Sequence, residues 1–157
     1  MDLRLVRRRL LGNTDRTPAH PLTARPIMSH PARPPFEANQ KLITFLYYKD
    51  LAGAMRFYED VMGFVLEIDQ GWSKIYRVTP NGYVGLVDES RGSHRANPIK
   101  PVQVCVRVAD VDPWHAYIVG AGVDVTKGPR SVAELKIRAF VFNDPEGYQI
   151  EIQSALD

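Results

Sequence analysis

A single cysteine, Cys105, is all that this chain of 157 residues carries, so no intramolecular disulfide can staple it. A lone thiol fits a reducing compartment, and the expected location is cytoplasmic. No apolar run approaches the roughly 20 residues that a membrane-spanning helix needs. What remains is a composition 45% apolar and 24% charged, that of a soluble globular protein. A secretory signal is excluded because the Arg-rich start lacks its apolar core. A basic stripe is also missing once the charge is divided along the chain. Residues 1–40 carry seven Arg against Asp2, Asp15 and Glu37, a balance of 7 − 3 = +4, so a net charge of +2 leaves the remainder at −2. The folded part therefore offers no stripe for nucleic acid.

What is present divides at about residue 39. Residues 1–39 combine the run Arg7-Arg8-Arg9 with scattered prolines and read as a disordered leader that holds His20 and His30. Such a start could be a targeting peptide or a basic arm that touches anions. Met28 offers a second plausible start, and the favoured reading makes the preceding segment an extended or mis-assigned leader.

From Leu42 the chain becomes regular. Leu42, Thr44, Leu46 and Tyr48 alternate with Ile43, Phe45, Tyr47 and Lys49, giving a strand apolar or aromatic on both faces. Asp50 stands as a helix N-cap. Leu51, Ala54, Met55, Tyr58, Val61 and Met62 follow at helical spacing, and Gly63 ends the helix. Residues 64–68, 74–78 and 83–87 read as strands, the last two joined by a Pro80-Asn81-Gly82 turn. After a linker over 90–101 the unit begins again. Val102, Val104, Val106 and Val108 alternate with Gln103, Cys105, Arg107 and Ala109, and Asp110 repeats Asp50 at an offset of 110 − 50 = 60 residues. Asp112 is expected to cap the second helix with Pro113 at its first position. Val111, Trp114, Ile118 and Ala121 form its stripe, Gly122 stops it, and strands follow over 123–126 and 137–142. The turn Asp144-Pro145-Glu146-Gly147 then feeds a last strand, in which Tyr148, Ile150 and Ile152 alternate with Gln149, Glu151 and Gln153. The expectation is an α+β fold of two βαβββ modules, 40–89 and 102–154, forming a curved mixed sheet around a cavity. Glu151 attracts attention because Glu favours neither strands nor burial.

The paired unit, with "Tyr-Lys-Asp-Leu" and Phe57-Tyr58-Glu59-Asp60-Val61-Met62-Gly63-Phe64 in one copy and "Phe-Asn-Asp-Pro-Glu-Gly-Tyr-Gln-Ile-Glu" in the other, resembles the vicinal oxygen chelate superfamily. That group includes glyoxalase I enzymes, fosfomycin-resistance enzymes, extradiol dioxygenases and bleomycin-resistance binding proteins. The resemblance implies metal ligands on the first and last strands of each module. Carried over by position, those sites fall at Gln103 and Glu151 in the second module and at Ile43 and Gly85 in the first. Only the first two can ligate, whereas a divalent metal usually takes three or more protein ligands. Among the remaining histidines, His94 sits in the linker, and His115 lies on the second helix, opposite the cavity.

Alternation assigns Gln103, Cys105, Arg107, Gln149, Glu151 and Gln153 to a polar cavity wall, and Ile43, Phe45, Tyr47, Gly85 and Val87 to an apolar one. Such a surface suits a small, flat, partly polar organic ligand. Phe45 reads equally as wall or as core, and Arg107 with Glu151 reads as an ion pair or as ligand contacts. Cys105 reads as a small buried hydrophobe, with no His placed to activate it. Trp72 and Tyr76 are expected to cap the pocket, with Trp72 as a dimer contact the other option. Arg138 joins the ligand-binding set, its facing open. The leading expectation is a homodimeric binding protein of the bleomycin-resistance type, without cofactor, nucleic acid or membrane partner. The competing one is a metal-dependent lyase, isomerase or dioxygenase in which Gln103 and Glu151 hold a divalent metal and Glu151 also shuttles a proton.

Overall fold

The computed structural model describes residues 34–156. The expected leader, with His20 and His30, lies almost wholly outside the described residues. The chain divides into two units, Met1–Phe36 and Glu37–Asp157, and all that follows concerns the second.

In the first module, strand β1 spans Ile43–Tyr48. Its alternation places Leu46 and Tyr48 in the core and Ile43, Phe45 and Tyr47 on the opposite face. The Asp50 carboxylate accepts the backbone N–H of Gly53 at 2.9 Å, which starts helix α1 over Leu51–Arg56. The helix then widens into a π-turn over Phe57–Val61, closed by the Met62 N–H on the Phe57 carbonyl, and this turn lets consecutive Phe57 and Tyr58 both enter the core. Gly63, at φ +67°, takes the left-handed conformation that ends it. Strands β2 (Val65–Asp69), β3 (Ser73–Arg77) and β4 (Tyr83–Asp88) complete a sheet of order β1-β4-β3-β2, with β1 and β4 parallel.

The second module repeats the plan with β5 (Gln103–Arg107), α2 (Val111–Gly120), β6 (Val125–Val132), β7 (Ile137–Asn143) and β8 (Gln149–Ala155). Its sheet has the order β5-β8-β7-β6, again with the first pair parallel. Three expectations are corrected here. Asp110, not Asp112, caps α2, accepting the Asp112 N–H at 3.0 Å, because Asp110 is extended while Asp112 is already helical. Pro113 thus sits at the third helical position, still inside the first turn where no N–H is needed. Strand β6 does not end near Thr126, as expected, but runs to Val132 through Gly128 and Pro129. It can do so because β6 is an edge strand and is bulged between Val125 and Arg130, where a missing donor costs little.

Each module thus contributes one four-stranded mixed sheet with a helix on one face. The two helix-side cores form one cluster, from Leu46, Tyr58 and Leu86 in the first module to Ile118, Phe140 and Ile152 in the second. The turn before β8 joins them. Asp144 is buried, and its Oδ1 accepts the N–H groups of Glu146 and Tyr148, which shapes the turn, with Gly147 at φ +89°. Its Oδ2 lies 2.7 Å from the Tyr48 hydroxyl and 3.2 Å from that of Tyr58, both in the first module. Glu146 accepts the N–H of Asp50 at 2.7 Å, and the Tyr148 hydroxyl bonds the Tyr47 backbone N–H at 3.0 Å. Burial, with the neighbouring Asp144 charge adding to it, pushes the Tyr48 and Tyr58 hydroxyls far above their ordinary pKa, so both stay protonated as donors. Among the described residues no helix is long and apolar enough to cross a membrane.

Candidate functional site

The face of each sheet turned away from its helix is where the chain can meet a ligand. In the second module the register sets these residues in rows across the sheet. Cys105 pairs with Glu151, Glu151 with Val141 and Val141 with Lys127; Arg107 pairs with Gln153, Gln153 with Ala139 and Ala139 with Arg130. Glu151 is the hub. Its carboxylate accepts one amide N–H from Gln103 and one from Gln153, each at 2.9 Å, and the Cys105 sulfur lies 3.9 Å away. Gln153 also sits 2.9 Å from that sulfur. Burial raises the Cys105 thiol above its ordinary range, and the adjacent Glu151 charge adds to the rise while the Gln153 N–H opposes it. Cys105 is therefore a thiol held neutral on an exposed face, and not the buried hydrophobe its sequence context suggests. Nor does Arg107 pair with Glu151: among the described residues no salt bridge joins them, and the two glutamines take the carboxylate instead.

The same face of the first module is filled by the chain itself. A Cβ on Gly85 would lie 2.3 Å from Cδ1 of Phe45, so that ring occupies the space a ligating side chain at 85 would need. Tyr47 lies over Gly92, where a Cβ would come 2.6 Å from its Cε1, packs edge-on to His94 with centroids 5.1 Å apart, and shares a 2.9 Å hydrogen bond with Ser93. Ile75, Gly85 and Val87 beneath are buried. Phe45, 43% exposed, is thus both wall and cover.

Two expected ligand contacts lie elsewhere. Tyr76 is opposite Val84, so it takes the helix side of its sheet; it is fully buried and donates to Glu59 Oε1 at 2.5 Å. Arg138 is opposite Ser154 on the helix side of the second sheet and pairs with Asp112 at 2.7 Å. Trp72 stays at the β2–β3 turn, 40% exposed, with its carbonyl accepting the Asp88 N–H. His115 packs edge-on against Phe140, on the helix side as expected. Between β5 and the β3–β4 hairpin lies a groove of about 290 Å³, with Gln103, Cys105 and Arg107 on one side and Thr44, Thr79 and Tyr83 on the other. Alternation along a strand carries no signal for Thr79 and Tyr83 on the hairpin side, because it describes faces of a sheet and not the space between two.

The residues at the metal positions implied by the fold do not fit a self-sufficient metal centre. Gln103 and Glu151 already satisfy one another, Ile43 has no donor atom, and Phe45 covers Gly85. Among the described residues no group of three or more His, Cys, Asp and Glu side chains could hold an ion.

Residues 41–152 match the family model of the Glyoxalase/Bleomycin resistance protein/Dioxygenase superfamily. Solved structures share the fold. A glyoxalase/bleomycin resistance protein/dioxygenase from Nocardioides superposes with a TM-score of 0.64 at 19% identity, covering 83% of this chain and 89% of that one. TioX from Micromonospora sp. ML1 gives 0.62 at 22% identity, with 74% and 99% covered. A lactoylglutathione lyase from Agrobacterium tumefaciens gives 0.61 at 20% identity, with 77% and 95% covered. A search of curated proteins gives no match. At these identities the structural likeness speaks for the fold alone.

Proposed function

The chain belongs to the glyoxalase/bleomycin resistance protein/dioxygenase superfamily, and from that premise we propose that it binds and sequesters a small organic molecule on the open face of its second module, with no resident metal. The observation that carries this reading is the contrast at the four ligand positions: Gln103 and Glu151 are engaged with each other, while Ile43 and the Phe45-covered Gly85 offer no donor. The glutamines hold Glu151 in place, where its carboxylate can accept a ligand hydroxyl or amine. Ala139 and Val141 supply an apolar floor beside it. The reading includes a cytoplasmic homodimer in which a partner covers the open face, checked by sedimentation equilibrium of the full chain.

Metal analysis of untagged protein, followed by a thermal-shift screen of small aromatics with and without chelator, tests it. The expected result is protein without stoichiometric metal and ligand-induced shifts that chelator leaves unchanged. One tightly bound divalent ion per chain would overturn it.

The meeting of Gln103 and Glu151 keeps a second reading in view, a metal-dependent lyase, isomerase or dioxygenase whose substrate completes the shell. There Glu151→Gln removes turnover and metal uptake together, and retention of both counts against it.

A further inference from the structure

We infer that the ligand of the second module's open face is an organic anion, a flat apolar body bearing a carboxylate or phosphate group. The inference rests on the reading of that face as a ligand site. It comes from charge placement across the four strands. Arg107 stands on one edge strand, and Lys127 and Arg130 stand on the other, in register with the rows that cross β8 and β7. All three are exposed, and among the described residues none has a carboxylate partner. Elsewhere in the fold, Lys41, Lys74, Arg77 and Arg138 each face an acid, while Lys49, Arg56 and Lys136 also have no carboxylate partner among the described residues but lie outside these rows, so it is the shared face that sets the three apart. Among the described residues that the register sets in these rows the one acid is Glu151, and it is taken up by the two glutamines.

The relief of the face suits the same ligand. Between the two edges the floor is Ala139 and Val141, short side chains flanked by long cationic ones. With strands about 4.8 Å apart, the edge strands β5 and β6 stand about 14 Å from one another. That width admits a one- or two-ring body lying on the floor, its acidic group reaching an edge. Guanidinium forks match carboxylate and phosphate oxygens in pairs, and the thiol of Cys105 and the amide of Gln103 add neutral contacts. Glu151 opposes an anion placed centrally and so directs the acidic group toward Arg107 or toward the Lys127 and Arg130 edge.

Calorimetric titration of the full chain with 2-naphthoate, 2-naphthyl phosphate and neutral 2-naphthamide tests this. At least one anion is expected to bind about tenfold more tightly than the amide, with the preference shrinking in about 1 M salt, where the screening length is only about 3 Å. Which of the two anions binds better assigns carboxylate or phosphate. Arg107→Gln combined with Arg130→Gln should bring the anions to the amide's affinity, and Lys136→Gln, outside the rows, should not. Equal binding of all three probes overturns the anion assignment and leaves the ligand site standing. No binding of any probe overturns both. Folding of the double variant is checked by its near-ultraviolet circular dichroism, and the salt series on the unmodified chain tests the inference independently of that variant.

Discussion

In the first module Phe45 lies on Gly85 and Tyr47 on Gly92, so the face away from the helix is closed by the chain's own rings. In the second module the corresponding face carries Gln103, Cys105 and Arg107 in the open, around a carboxylate held by two amides. The helix sides of the two modules do not differ in this way. Both bury alternating apolar residues in one common core, Leu46 and Tyr48 on β1 and Ile150 and Ile152 on β8. Core packing constrains a repeated unit on its helix side, because any loss of volume there is felt directly. The other side is free to become either a filled wall or a binding surface, and here one module has taken each course.

The largest expected effect tests what joins the two modules. Asp144→Ala leaves the buried hydroxyls of Tyr48 and Tyr58 without their acceptor and removes the carboxylate that shapes the turn, which should cost on the order of 3 kcal/mol in urea denaturation. A loss well under 1 kcal/mol would mean that the Asp144 carboxylate adds little to the joining of the modules.

The closed face comes next. Gly85→Ala places a methyl group against Phe45 and should destabilise the fold by about 1–3 kcal/mol. Phe45→Ala in the same chain should recover most of that loss, so the double-mutant cycle shows strong coupling. Additive losses would show that Phe45 does not define the space at Gly85.

The open face should reveal itself through Cys105. Its thiol is raised by burial and by Glu151, so at neutral pH the reactive thiolate is scarcer than in the unfolded chain, and alkylation by iodoacetamide should be several-fold slower. The rate rises only as pH passes above the ordinary thiol range. Glu151→Gln removes the neighbouring charge and should move that rise to lower pH; an unmoved profile would dissolve the cluster as an electrostatic unit. The smallest effect belongs to Arg138. Its exposed pair with Asp112 is worth under about 1 kcal/mol, and Arg138→Ala should leave ligand affinity on the open face unchanged.

Much of this was legible before folding. The cap at Asp50 was legible from a single residue, whereas the second helix is capped by Asp110 and not by Asp112, two residues later. Period-two alternation placed Gln103, Glu151 and Gln153 on one face correctly, because their strands lack bulges there. Tyr76 and Arg138 were misplaced as pocket residues because neither was tied to its strand's alternation: Tyr76 takes its side from Val84, and Arg138 from Ser154. Strand β6 was cut short because Gly128 and Pro129 look like a break when the edge that tolerates them is unseen.

The sequence by itself determined the repeat, the helix-side cores and the absence of donors at two of four ligand positions, since each follows from residue type and local period. Only the tertiary structure decided that Asp144 binds tyrosines 96 and 86 residues away, that Phe45 closes Gly85, and that two glutamines, not Arg107, take the Glu151 carboxylate. Those outcomes depend on which strands become neighbours, and a local pattern holds no record of distance across the fold.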